Sequence, residues 1–154
     1  MRLEGRRILV TGAAKRVGAA LAENLAAHGA RLILHCYRSR REAEALARRL
    51  RAVHNTDCAV VVADLAEPRA LKVLAREALR PFEGLDALVN NASVYARHPF
   101  GTASAADFDL QMAVNARAPF LLAQALAPAL RKARPGKIVN NADWSGQRPY
   151  AARA

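Results

Sequence analysis

Short runs of β-branched residues and leucine alternate along the chain with longer Ala/Leu/Arg segments of helical period. The spacing predicts strands at residues 7–10, 31–35, 59–63, 85–89 and 137–140. Helices are expected over about 17–28, 40–53, 68–80, 103–113 and 116–132. Leu21 and Leu25 sit four residues apart on one helical face, Gly29 closes that helix, and Pro68 opens the third. The strands are near-continuously apolar, the pattern of a parallel sheet covered on both faces rather than of a half-solvated one. Right-handed crossovers through the intervening helices then predict an α/β, doubly wound, three-layer α/β/α fold. No internal repeat or low-complexity linker divides it.

The 154 residues suit one domain, and 53% hydrophobic content argues against a disordered chain. No apolar run reaches the roughly 18 residues that a membrane span needs. The segment Met1-Arg2-Leu3-Glu4-Gly5-Arg6-Arg7 lacks the apolar region and cleavage site of a signal peptide. A soluble, cytoplasmic protein without a membrane partner is expected. Cys36 and Cys58 form no disulfide framework or zinc spacing, so both read as buried small hydrophobes and no metal site is expected.

The net charge of +11 raises the question of nucleic acid. Its 20 arginines are spread along the whole chain, without an aromatic-interleaved patch or a recognition signature. A solvated basic surface that favours an anionic small ligand is the simpler reading, and no nucleic-acid partner is expected.

The candidate chemistry begins at Thr11-Gly12-Ala13-Ala14-Lys15-Arg16-Val17-Gly18, between the first strand and its helix. Gly12 permits a tight turn, Gly18 close helix packing, and the helix N-terminus offers free N–H groups to a pyrophosphate. A plain turn would use the same glycine. At the end of the second strand, NAD sites place an acid for the ribose hydroxyls. Here stands His35-Cys36-Tyr37-Arg38-Ser39, with no acid before Glu42. Arg38 and Ser39, with Lys15 and Arg16 nearby, suit a 2′-phosphate, which makes NADPH the expected cofactor. A solvated arginine at a helix start is the alternative.

Together with Asp64-Leu65, Asn90-Asn91-Ala92-Ser93 and Asn115-Ala116, these motifs resemble, in order, those of the short-chain dehydrogenase/reductases, a family with the Rossmann fold. Arg16 in the glycine motif and His35-x-x-Arg38-Ser39 look like the pteridine reductase branch. The resemblance implies that Gly12, Lys15, Arg16, Val17, Gly18, His35, Arg38 and Ser39 line the NADPH phosphate site. It places Asp64 and Leu65 beside the adenine. Asn91, Ala92 and Ser93 would border the cofactor and the substrate, and Tyr95 would stack against a pterin; a loop aromatic packed on the rim is equally compatible with Tyr95. The candidate catalytic positions are Asn115, matching the asparagine that supports a proton-relay water, and Asp143, standing where most of the family has serine. A carboxyl there could pass a proton to a pterin nitrogen, although an exposed turn Asp fits the residue type as well.

The family's Tyr-x-x-x-Lys, expected about a dozen residues beyond Asp143, does not occur. Tyr150 comes too early and reads as part of the preceding loop. The expectation is a C-terminally incomplete Rossmann domain over residues 1–154, without the last strands and substrate-covering helices. Three functions remain open. The first is the N-terminal part of an NADPH-dependent pteridine-reductase-like enzyme acting on a pterin or related carbonyl or imine, in a family usually homo-oligomeric. The second is a non-catalytic NADP(H)-binding module, and the third a basic nucleic-acid-binding domain.

Overall fold

The structure is a computed structural model and describes residues 2–96, 98–99 and 101–143. The reading of Tyr150 lies outside the described residues. The strands β1 (Arg7–Val10), β2 (Arg31–Cys36), β3 (Cys58–Val62), β4 (Ala87–Asn90) and β5 (Lys137–Asn140) form one sheet in the order β3-β2-β1-β4-β5. Every pairing is parallel, and Ile8 of β1 stands in register between Leu32 and Ala87. The expected doubly wound α/β sheet is present.

Strand side chains alternate between faces, and here both faces are filled. Leu9, Ile33 and Leu88 point into a core closed by α3 (Pro68–Leu79) and α5 (Ala118–Lys132), through Leu71, Leu74, Leu122 and Leu126. Their neighbours Ile8, Val10, Leu32, Leu34 and Val89 enter a second core under α1 (Arg16–Ala27) and α2 (Arg40–His54), with Ala22, Leu46 and Leu50. This two-sided burial is why the strands read as unbroken apolar runs. Cys36 and Cys58 are buried and unpaired as expected, and burial pushes the Cys58 thiol up to about 11.

Two boundaries differ from the sequence reading for identifiable reasons. The fourth strand starts at Ala87 rather than 85, where the chain is anchored by a buried carboxylate. Asp86 accepts from the backbone N and Nε of Arg7 at 2.9 and 2.7 Å, and from Arg6 at 3.2 Å. The fourth helix, α4 (Ala105–Met112), begins two residues late because Ser104 and Asp107 form a reciprocal cap. The expected pair of separate helices is one helical stretch, α4 passing through a π turn (Ala113–Arg117) into α5. Pro119 has no N–H for the Asn115 carbonyl four residues back, so the α ladder is interrupted there without ending the helix.

Among the described residues, no helix is long and apolar enough to cross a membrane, and no group of three or more His, Cys, Asp or Glu could hold a metal. β5 differs from the other strands. All four of its residues are exposed, with Ile138 and Val139 about half so.

Candidate cofactor site

Strand order reverses at β1: β2 and β3 lie to one side, β4 and β5 to the other. In open α/β sheets such a reversal parts the connecting loops and leaves a crevice at the carboxyl ends. A cleft of about 1020 Å³ lies there, walled by residues that follow all five strands.

The loop after β1 is built from backbone contacts. Thr11 Oγ1 donates to the Val89 carbonyl at 3.3 Å and accepts from the Asn91 and Ala92 amides at 2.9 and 3.0 Å. Asn91 Nδ2 donates to the Thr11 and Gly12 carbonyls at 2.9 and 3.3 Å. Gly12 has φ +62°, and a Cβ there would lie 2.8 Å from Ala92 Cα. A Cβ on Gly18 would collide with the Gly12 carbonyl and lie 2.7 Å from Asn91 Nδ2. Only glycine fits either place. The chain then enters α1 without a side-chain cap and with no acid in the first turn, so the first helical N–H groups face the cleft mouth beside Lys15 and Arg16. This cradle fits a pyrophosphate. Arg16 sits at φ +51°, a left-handed backbone for a residue other than glycine.

Gly12, Lys15, Arg16, Val17, Gly18, His35, Arg38, Asp64, Leu65, Asn91, Ala92, Ser93, Tyr95 and Asp143 all line this one cleft. Arg38 is exposed, its guanidinium 5.0 Å from the Tyr37 ring centroid. Lys15 is engaged by Glu42 at 2.6 Å, and that bond holds the Glu42 carboxyl below its ordinary value. Asp64 Oδ1 accepts from the Ala66 amide at 2.9 Å, shaping the turn after β3. At the other wall, Asn141 Nδ2 donates to Asn91 Oδ1 at 3.1 Å and Asn90 Nδ2 to Asn140 Oδ1 at 2.8 Å, tying the ends of β4 and β5.

Two expected residues are not on the cleft wall. Ser39 occupies the N-cap position of α2, half-buried and without a capping bond. Asn115 lies in the π turn and holds the loop after β4, its Oδ1 accepting from Val94 N at 3.0 Å and its Nδ2 donating to Val94 O at 2.9 Å.

The family model for short chain dehydrogenase matches residues 6–154. The chain belongs to the short-chain dehydrogenase family. It is 35% identical over 149 residues to L-xylulose reductase of Bos taurus, covering 96% of this chain and 57% of that one. Among solved structures, a short chain dehydrogenase from Burkholderia cenocepacia in complex with NADP is 31% identical with a TM-score of 0.90, covering 99% of this chain and 61% of that one. The FolM alternative dihydrofolate reductase 1 from Brucella canis, complexed with NADP, is 33% identical with a TM-score of 0.88, covering 97% and 60%. The chain spans about half the length of the curated relatives it matches.

For this member of the family the structure adds Tyr37, Val94, Leu110, Val114 and Asn141 to the wall. Leu110 and Val114, four apart on a helix, carried a periodic signal that could have placed them on one face. Asn141 follows directly on a strand's carboxyl end, where cleft residues collect. The bonds of Thr11 gave no such signal, because they run to the end of β4 and the loop after it, about 80 residues away.

Proposed function

We propose that residues 1–154 form the NADP(H)-binding domain of a reductase whose substrate is a pterin or a related carbonyl or imine compound. The observation that carries the cofactor reading is the joining of two features in one cleft. One is the uncapped α1 N-terminus over a glycine-only cradle; the other is Arg16 and Arg38, with no acid at the end of β2. The NADP complexes of similar proteins support it.

When bound, NADPH supplies a hydride. The α1 amides, Arg16 and Arg38 would hold its phosphates, with Lys15, paired with Glu42, beside them. Asp64 and Leu65 border the adenine, and Asn91 to Ser93 bound the inner end of the cleft. Tyr95 would orient a flat ring there, and Asp143 would stand where a carboxyl could pass a proton to a ring nitrogen. The pterin reading rests on Arg16, Tyr95 and Asp143 sharing this wall, and on similarity to a protein named as a dihydrofolate reductase. Asn115 positions the Val94–Tyr95 loop beneath that ring.

No Tyr-x-x-x-Lys occurs within the 154 residues. The assay of turnover is therefore NADPH oxidation in a chain continued through that pair. Dihydrobiopterin should be reduced faster than L-xylulose, with Tyr95→Ala raising KM for the pterin. Reduction of L-xylulose but not of dihydrobiopterin would overturn the pterin assignment. NADPH binding without turnover of any carbonyl or imine would leave a binding module.

A further inference from the structure

His35 was expected to touch the cofactor, yet only 1% of it is exposed and both ring nitrogens are engaged by the protein. The Gly12 amide donates to Nδ1 at 3.2 Å, and Nε2 faces the Ala63 carbonyl at 3.1 Å. The Ala13 amide bonds the His35 carbonyl at 2.9 Å. A backbone N–H can only donate, so Nδ1 must carry the lone pair and Nε2 the proton. One imidazole thus joins the glycine loop to β2 and to the end of β3, opposite the grip of Asn91 on the same loop.

We propose that His35 is a positioning residue for the cofactor loop: its neutral Nε2–H form holds Gly12 in place, and NADPH affinity falls when it takes up a proton. The inference rests on the cofactor reading above. Protonated, Nδ1 would point an N–H at the Gly12 N–H, and one of the two would lose its partner inside a closed space. The loop carbonyls and the α1 entry would shift with it.

Charged and titratable groups around the ring do not rescue that state. Asp64 beyond β3 favours the charged form. Lys15, Arg16 and Arg38 line the same cleft and, as cations, give a second positive charge no support. Glu42 is paired with Lys15, burial pushes the Cys36 thiol up, Tyr37 adjoins the end of β2, and Asp143 follows β5 at the other edge of the sheet. Burial is the largest influence and holds His35 below its ordinary 6.5, partly offset by the Ala63 bond and Asp64.

The test has two arms. In the cofactor-free chain, long-range 1H–15N spectra of the imidazole should show the Nε2–H tautomer at neutral pH, and the Gly12 amide should move with the His35 midpoint on acidification. A charged ring, an Nδ1–H tautomer, or a Gly12 amide indifferent to that midpoint would overturn the proposal, whatever binds. The second arm is NADPH affinity against pH by fluorescence titration. The cofactor's own phosphate titrates near ~6, so the wild type is compared with two variants. His35→Asn keeps an acceptor where Nδ1 stands and should stay within about threefold at neutral pH, with a shallower acid fall. His35→Leu should weaken binding about tenfold at every pH, as a buried donor left unpaired requires.

An unchanged acid slope in His35→Asn, or wild-type affinity in a folded His35→Leu, would overturn the proposal; if His35→Leu fails to fold, the asparagine variant and the wild-type spectra decide. A wild type with the expected tautomer that binds no NADPH would overturn the cofactor reading and, with it, the role in affinity.

Discussion

Arg38 reaches solvent at the end of β2, where an acidic side chain would have favoured a ribose diol. Arg38→Asp should weaken NADPH by at least tenfold, about 1.4 kcal/mol, while leaving NADH little changed or improved; equal loss of the two in a fluorescence titration would refute the 2′-phosphate assignment. Gly18→Ala forces a methyl onto the Gly12 carbonyl, so the variant should lose NADPH affinity and about 1–3 kcal/mol of stability by denaturant melt. Asp86 makes a third test away from the cleft. Burial works to raise its pKa, but the bonds from Arg7 and then Arg6 outweigh it and leave the carboxyl below the usual 3.8. Its pair therefore stabilises the fold fully above that value and loses strength as pH falls through the lower folded one. Asp86→Asn should cost about 2–3 kcal/mol at neutral pH and flatten the acid limb of the stability curve. Glycine requirements and the missing acid were readable because they are local backbone and charge facts. The roles of His35 and Thr11 were not, since their partners come from other strands.

At the scale of elements, all five strands and the helices were legible from periodicity, because both sheet faces are buried and the runs are uniformly apolar. The misplaced limits came from chemistry the period does not report: the Ser104–Asp107 cap, the anchoring of Asp86, and Pro119, which removes a ladder bond beside the π turn without stopping the helix. The two sheet edges differ. β3 is bracketed by the exposed ion pairs Arg40–Glu44 and Glu77–Arg80, which discourage pairing with another strand. β5 presents Ile138 and Val139 half-exposed, with Arg131 and Arg134 near Ile138 but no ion pair bracketing the strand among the described residues. The chain should self-associate through this edge, and Val139→Lys should reduce the association. A monodisperse monomer of the unmodified chain by light scattering at high concentration would contradict this.

For the whole molecule, parallel order and a reversal at β1 bring residues far apart in sequence into one cleft, from Gly12 to Asp143. The charge of +11 acquires a local meaning there: Arg16 and Arg38 face the cleft, whereas arginines 40, 49, 76 and 80 sit in exposed ion pairs. Such pairs contribute little to stability, and they leave the anion preference to the cleft. Selection of a 2′-phosphorylated dinucleotide by this cleft is read from thermal melting of the chain with NADPH or NADH. At a hundredfold excess over Kd, NADPH should raise Tm by about 5–10 °C. NADH at the same concentration should raise it far less. Equal shifts from the two, or no shift with NADPH in a chain that melts cooperatively, would refute that selectivity.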